Sequence, residues 1–277
     1  MKIEKIEKTE GVLLGSLLVL LLLALVGPSL AQPAHYHDFA DQRAWGFLPC
    51  ALDVLSNLPF ALWGAVGLAC LFKTGSTRAC ISASQRNLAT LFFVGLLLTA
   101  AASAWYHWQP DDAGLVIDRL GMAVAFAGLL GLAASDRVSS RAGVWLALVV
   151  LALGPLSVAA WAASGNVLPW VVLQFGGIAL LLWLACMRSL PDTLAVRWGL
   201  VIAVYLVAKI LEQADEAVYA LTSELVSGHS LKHVVASCAA WPVVSAIRRL
   251  RKQSEYGSAS RRGEHAGSRR SRRTTTA

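Results

Sequence analysis

The chain is poor in charged residues. Asp, Glu, Lys and Arg make up 15% of its 277 positions, whereas 56% are hydrophobic. A soluble domain carries about 25% charged residues, so this composition excludes an ordinary soluble fold. Apolar stretches close to the roughly 20 residues that span a bilayer recur along the chain. The sequence therefore predicts an all-α membrane protein in contact with the bilayer.

Paired cysteines and serine-protease motifs are also absent. The five cysteines show no C-x-x-C spacing, so we expect neither a disulfide framework nor a cysteine-ligated metal. The sequence has no G-x-S-x-G motif, which argues against a serine intramembrane protease. It has no internal repeat and no Gly/Pro-broken pair of apolar segments, which argues against a repeat-built transporter.

Eight apolar segments are long enough to be considered as membrane spans. They cover residues 12–31, 47–72, 87–107, 115–134, 143–162, 168–187, 196–212 and 229–247. We interpret the first as an additional N-terminal hydrophobic helix and the other seven as a seven-transmembrane helix bundle. The predicted organisation is thus an N-terminal segment (1–31), a membrane domain (32–247) and a C-terminal tail (248–277).

The N-terminal segment combines features of a signal peptide and of an anchor. Ser29-Leu30-Ala31 resembles a small-residue cleavage site. However, Glu4, Glu7 and Glu10 cancel the positive charge that a signal peptide carries before its apolar core. We therefore favour an uncleaved anchor.

The C-terminal tail is basic and rich in Ser and Gly, a composition that predicts disorder. We interpret it as a cytoplasmic topology signal that also contacts anionic lipid, and we expect no nucleic-acid partner. Further Lys and Arg residues follow the first, third and fifth core helices, so these connections are also predicted to be cytoplasmic. Tryptophans near the helix ends agree with this orientation.

Ionisable side chains occur inside the apolar segments, where each costs roughly 2.5 to 3.5 kcal/mol on insertion scales and is usually functional. His107 ends the second core helix, Asp118 begins the third, and His229 and His233 begin the seventh. In the predicted orientation all four lie in one layer near the extracytoplasmic side.

This layer has the composition of a zinc site. His229 and His233 are spaced i, i+4, which places both imidazoles on one helical face. With His107 they form a three-nitrogen set that suits Zn²⁺ and leaves a fourth position open, as in catalytic zinc sites. An ion in such a site lowers the pKa of bound water to about 7.

Four polar residues accompany the histidines. Asp118 could orient a ligand histidine or accept a proton from water, and it could also be a carboxylate favoured at a helix start. Ser103 lies one turn before His107 and could stabilise an oxyanion or bond back to a helix carbonyl. Asp53 and Asn57, also i, i+4, could brace the site or join two helices.

These motifs resemble one known family. Ser103-Ala-Trp-Tyr-His107, Asp118 eleven residues later, and Gly228-His229-Ser-Leu-Lys-His233 are similar to the alkaline ceramidase family, one of a group of seven-helix membrane hydrolases that includes the adiponectin-receptor relatives. The similarity is greatest to bacterial members, through the stretches 36–43 and 53–60, and it covers residues 36–247.

The resemblance implies a function and a set of roles. In that family, the residues matching His107, His229 and His233 hold zinc, the residue matching Asp118 assists the water, and the one matching Ser103 stabilises the reacting carbonyl. The implied reaction is hydrolysis of the amide bond of an N-acyl lipid such as ceramide. The implied location is the bacterial inner membrane, with the site near the extracytoplasmic side.

The resemblance is incomplete at a calcium site. Eukaryotic members bind Ca²⁺ through an acidic N-terminal stretch and a Glu, but Cys50 stands where that Glu is expected and Asp53 where they carry Asn. Asp38 and Asp41 offer carboxylates without the same spacing. We therefore retain Asp38, Asp41, Asp53 and Asn57 as calcium ligands or as supports of the zinc site.

Two other classes of protein remain open. The same polar layer could bind a ligand or relay protons in a receptor or transporter. His107 opposite His229 or His233 could also hold haem, although that role leaves Asp118 and Ser103 unexplained.

Overall fold

The computed structural model describes residues 2–73 and 81–253, which form α-helices joined by short connections. The predicted all-α fold is confirmed for these residues. Arg78 and the tail residues from 254 onwards lie outside the described residues. The tail was predicted to be disordered from residue 248, but residues 248–253 continue the last helix, so the prediction is wrong for these six residues.

The helices are numbered in chain order. They are α1 (Lys2–Val26), α2 (Ala51–Leu55), α3 (Leu58–Phe72), α4 (Ala83–Trp108), α5 (Asp112–Arg137), α6 (Ser140–Ser164), α7 (Leu168–Ala185), α8 (Trp198–Gln213), α9 (Asp215–Leu221) and α10 (Gly228–Ser237). A 3-10 turn, Cys238–Ala240, follows α10 and leads into a helix over 241–253.

Seven helical spans of the described chain are long and apolar enough to cross a membrane. They are Ile6–Val26, Ala51–Phe72, Ala83–Trp108, Asp112–Arg137, Ser140–Ser164, Leu168–Ala185 and Gly228–Gln253. The remaining predicted span, 196–212, corresponds to α8, whose 16 residues rise about 24 Å. This is shorter than the bilayer hydrocarbon core of about 30 Å, and α9 continues the chain after Ala214.

Polar residues set the starts of the long helices. Ser82, Asp111, Ser139 and Ser227 each accept a hydrogen bond from a backbone N–H in the first turn of the helix that follows. Such N-caps satisfy donors that have no partner within the helix. Asp111 therefore fixes where α5 begins, seven positions before Asp118.

The bundle is built around α5, which packs along both α4 and α6. Small residues allow these helices to approach closely. A Cβ atom on Gly128 of α5 would lie 2.2 Å from the backbone nitrogen of Phe92 on α4. Aliphatic and aromatic side chains of α4 and α5 belong to one hydrophobic core, which packs the two helices together.

The first core span is broken near the site. The sequence predicts one helix over 47–72, whereas the structure has α2 and α3 separated at Ser56 and Asn57. Pro59 has no backbone N–H to donate and sits in the first turn of α3. The Oγ of Ser56 and the Nδ2 of Asn57 both donate to the carbonyl oxygen of Asp53, at 2.9 Å each. This break directs Ser56 towards α10.

Candidate metal centre

Three histidines from two distant parts of the chain meet inside the bundle. His107, His229 and His233 are each less than 10% exposed, and their potential ligand nitrogens all lie within 4.8 Å of one another. No other group of three or more His, Cys, Asp or Glu side chains that could hold a metal ion occurs within residues 2–73 and 81–253. The predicted convergence of these imidazoles is confirmed.

Each imidazole is placed by a helix end. His107 is in the last turn of α4, and His229 and His233 occupy successive turns of α10. The Ser227 cap fixes the start of α10, and the Oδ1 of Asp215 accepts a hydrogen bond from the backbone nitrogen of His229 at 2.7 Å. The ring centroids of His107 and His229 are 4.8 Å apart, and those of the other two pairs are 4.9 Å apart.

Ser56 defines which nitrogen of His233 is free. The Nδ1 of His233 lies 2.8 Å from the Oγ of Ser56, whose hydroxyl donates to the carbonyl oxygen of Asp53. Since the hydroxyl hydrogen is already used, Nδ1–H of His233 donates to Ser56. The Nε2 lone pair of His233 is therefore available to a metal, in the arrangement by which supporting hydrogen bonds orient metal-bound histidines.

The geometry fits a small divalent ion. The Nε2 atoms of His107 and His229 are 3.3 Å apart. Two nitrogens bound tetrahedrally at the usual zinc distance of 2.0–2.1 Å are separated by about 3.3 Å. The Nδ1 of His107 has no hydrogen-bond partner in the described part of the chain. The spacing of the ligand nitrogens shows that the residues present could hold a metal ion.

Lys232 stands beside this centre. Its Nζ lies 2.9 Å from the Nε2 of His229 and 3.4 Å from the Oε1 of Glu212. Glu212 also pairs with Lys209 on α8. The Lys232 ammonium donates to the Nε2 lone pair of His229, which a metal ion would also require. An ion at the centre would therefore replace this hydrogen bond, and Lys232 would keep only its ion pair with Glu212.

Asp118 and Ser103 lie near the histidines. Both are buried, and both line an apolar cavity of about 140 Å³ together with His233. The Oδ1 of Asp118 is buried without a hydrogen-bond partner among the residues described. Asp118 interacts with the hydroxyl of Ser103 and with the charges of Lys232 and Arg119. An unsatisfied buried carboxylate oxygen next to three imidazoles is costly unless a proton or a ligand compensates it.

Asp53 connects two helices around the centre. It is fully buried, and its Oδ1 accepts hydrogen bonds from the Oγ atoms of Ser230 at 2.5 Å and Ser227 at 3.4 Å. Within the described residues, the side chain of Asn57 forms one hydrogen bond, from its Nδ2 to the carbonyl oxygen of Asp53, and so supports the break between α2 and α3. The side chain of Asp53 thereby joins α2 to the start of α10, as expected for a bracing residue.

The other acidic residues of the possible calcium site have separate partners. Asp38 contacts the Nδ1 of His35 at 2.8 Å and is exposed. Asp41 is buried, and Arg43 donates to both of its carboxylate oxygens. Burial raises the pKa of Asp41, but the hydrogen bonds and charge of Arg43 outweigh it and lower the pKa below its usual value. The structure does not bring Asp38 and Asp41 together with Asp53 as a group of potential metal ligands.

Phe39 covers the outer side of the centre. Its ring centroid is 4.6 Å from that of His107 and 4.5 Å from that of His229. The connection that carries it is tied to the helices by the Oδ2 of Asp215, which accepts from the backbone nitrogen of Ala40 at 3.0 Å. Phe39 lies within the stretch 36–43, and nothing in its local pattern distinguishes it from other core aromatics.

Two cavities adjoin the histidines. The inner cavity is the apolar one beside Ser103 and His233, and the outer cavity, of about 800 Å³, is lined by His107, His229 and many polar residues. Asp118, Lys209, Glu212 and Lys232 line both. The centre therefore lies between an apolar space and a larger one whose lining mixes polar and apolar side chains.

The described residues thus form a helical membrane bundle that encloses a buried group of three histidines able to hold a metal ion. Compared with protein-family models and with curated proteins, the chain has no match.

Proposed function

We propose that the protein is a zinc-dependent membrane amidohydrolase that cleaves the amide bond of an N-acyl lipid, ceramide or a similar compound, into a fatty acid and a long-chain amine. The observation that carries this proposal is the meeting of three buried imidazoles with Asp118 and Ser103 between an apolar cavity and a larger cavity of mixed lining. The resemblance of the same residues to the alkaline ceramidase family supports it.

Zinc is the proposed ion because the three ligands are all imidazole nitrogens. Carboxylate-rich sets suit magnesium, calcium and manganese, whereas three histidines with an open position are typical of catalytic zinc. The separation of 3.3 Å between two Nε2 atoms agrees with tetrahedral coordination. Zinc in such a site supplies an acidified water and polarises a carbonyl oxygen.

The chain's own residues perform the proton transfers in this proposal. The free Oδ1 of Asp118 accepts a proton from the attacking water and then donates it to the departing amide nitrogen. The hydroxyl of Ser103 donates a hydrogen bond to the carbonyl oxygen as negative charge develops on it. The products are a carboxylic acid and an amine, and no other reactant is required.

The two cavities suit the two ends of an N-acyl lipid. The inner cavity is lined by Phe60, Phe92, Leu96 and other apolar side chains and accommodates part of a hydrocarbon chain. The outer cavity has charged and polar side chains in its lining and accommodates a headgroup. The amide bond is then held between them, at the level of the histidines.

We further propose that the site opens on the extracytoplasmic side of a bacterial inner membrane. The distribution of Lys and Arg between the connections supports this orientation. Fusions of alkaline phosphatase and of green fluorescent protein to the C terminus test it. We expect fluorescence and no phosphatase activity, and the opposite result would contradict the orientation.

The enzymatic proposal is tested with protein purified in detergent. Bound metal is measured by mass spectrometry, and fatty-acid release is followed with labelled ceramide. We expect about one zinc per chain and turnover, with His233→Ala losing both and Asp118→Asn retaining zinc while losing turnover. His37→Ala, which removes an imidazole that contacts Tyr106 and Asp112 instead, is the control.

The outcomes separate the competing functions. Zinc without turnover of any N-acyl lipid would contradict the hydrolase and favour a receptor or transporter. A haem absorbance spectrum in place of zinc would favour a redox protein.

A further inference from the structure

Arg119 is a buried cation in the outer cavity. It is 2% exposed, and its Nη2 donates to the Oε1 of Gln32 at 2.7 Å. Its Nε and Nη1 are buried without a hydrogen-bond partner in the ranges that the structure describes. A buried charged group with unsatisfied donors is costly, so its retention points to a ligand that completes its contacts.

The other cations that line the outer cavity are already paired. Lys209 and Lys232 share the carboxylate of Glu212. Arg119 has no carboxylate oxygen within 4.0 Å in the described chain, although it follows Asp118 directly. Successive residues of a helix point about 100° apart, which explains why these neighbours face different directions.

Three aromatic rings pack around the guanidinium group of Arg119. The Cζ of Arg119 lies 4.2 Å from the ring centroid of Trp161, 5.6 Å from that of Tyr36 and 5.7 Å from that of Trp170. Such stacking stabilises the charge but uses the faces of the guanidinium rather than its N–H groups. The N–H edges are thereby left for hydrogen bonds.

One N–H edge of the guanidinium contacts a single neutral side chain. Gln32 is on the connection that follows α1, only partly buried, and its carbonyl oxygen accepts from Nη2 as an oxygen of an anion would. Adjacent guanidinium nitrogens bind two oxygens of one carboxylate or phosphate in parallel. An anionic group that replaces Gln32 would also supply an acceptor to Nη1.

We propose that Arg119, in place of its contact with Gln32, binds an anionic carboxylate or phosphate on the amine portion of the substrate. This inference rests on the proposed amidohydrolase function and ranks N-acyl lipids with an anionic headgroup above neutral ones such as ceramide as substrates. The acyl chain extends into the inner cavity, and the anionic headgroup lies in the outer cavity, whose lining includes Arg119 and Trp170.

The test compares two amides that differ in headgroup charge. N-lauroylglycine ends in a carboxylate, and N-lauroylethanolamine has the same acyl chain and a neutral hydroxyl. We expect the purified zinc-loaded protein to prefer the anionic compound by about 10- to 100-fold in kcat/KM, the range of one charge-assisted hydrogen-bonded pair. Arg119→Gln should abolish this preference, and Arg119→Lys should restore part of it.

Two further variants sharpen the test. Gln32→Ala frees Nη2, so the preference for the anionic amide should persist or increase. Arg43→Gln is the matched control, because Arg43 lies outside the outer-cavity lining and is paired with Asp41. An equal kcat/KM for both amides in the unmodified protein, or a preference that Arg119→Gln leaves unchanged, would overturn the inference.

A binding measurement separates this inference from the enzymatic proposal. Thermal stabilisation by each amide is recorded for the unmodified protein and for Arg119→Gln. Stabilisation by the anionic amide that is lost in Arg119→Gln supports the anion site even if neither amide is hydrolysed. Equal hydrolysis of both amides would overturn the anion site and leave the amidohydrolase function intact.

Discussion

At the scale of single residues, the tautomer of His233 depends on Ser56. The Ser56 hydroxyl accepts the Nδ1 proton of His233 because its own hydrogen is donated to the Asp53 carbonyl. Loss of this acceptor would leave the imidazole free to rotate and to place its proton on either nitrogen.

We expect Ser56→Ala to weaken zinc binding by about 10- to 100-fold, the usual cost of removing a hydrogen bond that orients a ligand histidine. Competition against a chromophoric chelator measures the dissociation constant. Ser157→Ala is the control, because the hydroxyl of that buried serine donates to the carbonyl of Gly154 within α6 and has no other hydrogen bond among the described residues. An unchanged zinc affinity in Ser56→Ala would show that the hydrogen bond does not orient His233.

Lys232 is expected to have the opposite effect on the metal. Its ammonium donates to the Nε2 of His229 and would repel a divalent cation at the same place. We expect Lys232→Met to tighten zinc binding by about tenfold or more, because a hydrogen bond from a charged donor no longer competes with the ion. The same chelator competition measures the change.

The control for Lys232 is Lys209→Met. Lys209 pairs with the same carboxylate of Glu212 and forms no hydrogen bond with the histidines in the described structure. A zinc affinity that changes equally in both variants would mean that Glu212, and not the contact with His229, determines the effect.

The sequence revealed some of these residues and not others. Histidines and an aspartate in apolar spans are conspicuous because they are costly there, so His107, Asp118, His229 and His233 could be identified directly. The roles of Ser56 and Arg119 depend on contacts with residues 177 and 87 positions away, respectively. Neither separation leaves a local pattern in the sequence.

At the scale of elements, hydropathy located the helices but not their internal breaks. Seven of the eight predicted segments overlap spans long enough to cross a membrane. The break between α2 and α3, and the short α8 followed by α9, were not predicted, because average hydropathy does not register the capping side chains and proline that end a helix locally. Both irregularities lie next to the histidines.

The contact between α4 and α5 yields a prediction on stability. Gly128 faces the backbone of Phe92 so closely that even one methyl group cannot be accommodated without moving a helix. We expect Gly128→Ala to destabilise the protein by about 1–3 kcal/mol, despite the higher helix propensity of Ala, because overpacking forces the backbones apart. Thermal unfolding in detergent measures the loss.

Gly15→Ala is the matched control for this substitution. Gly15 also lies inside a helix, but apart from the neighbouring backbone of that helix no described atom lies within 4 Å of a Cβ placed there. An equal or higher unfolding temperature for Gly128→Ala than for Gly15→Ala would contradict the close approach of α4 and α5.

At the scale of the whole molecule, α1 lies at the periphery of the bundle and is nevertheless attached at both ends. Only 6% of the residues in its apolar stretch are buried, yet Leu13 is fully buried within the core. Near its start, Glu10 contacts Ser139 at 2.5 Å and also pairs with Arg141. These contacts join the beginning of α1 to that of α6.

The end of the N-terminal segment is bound in a similar way. The backbone nitrogen of Leu30 donates to the Oδ1 of Asn166 at 2.9 Å, and its carbonyl oxygen accepts from Val167 at 2.8 Å. Gln32, the next residue after the small-residue motif, bonds to Arg119. The peptide bond after Ala31 therefore lies in a segment held against α7 and the outer cavity.

We expect residues 1–31 to be retained in the purified protein, because cleavage after Ala31 would remove the partners of Arg141 and Asn166 and the buried Leu13. Intact-mass spectrometry should give the mass of the whole chain, 29.5 kDa. Ala31→Tyr, which places a bulky residue where a signal peptidase requires a small one, should leave the N terminus unchanged. A purified protein that begins at Gln32, together with an Ala31→Tyr variant that keeps the segment, would show that α1 is a signal peptide whose contacts with α6 and α7 are not required in the mature protein.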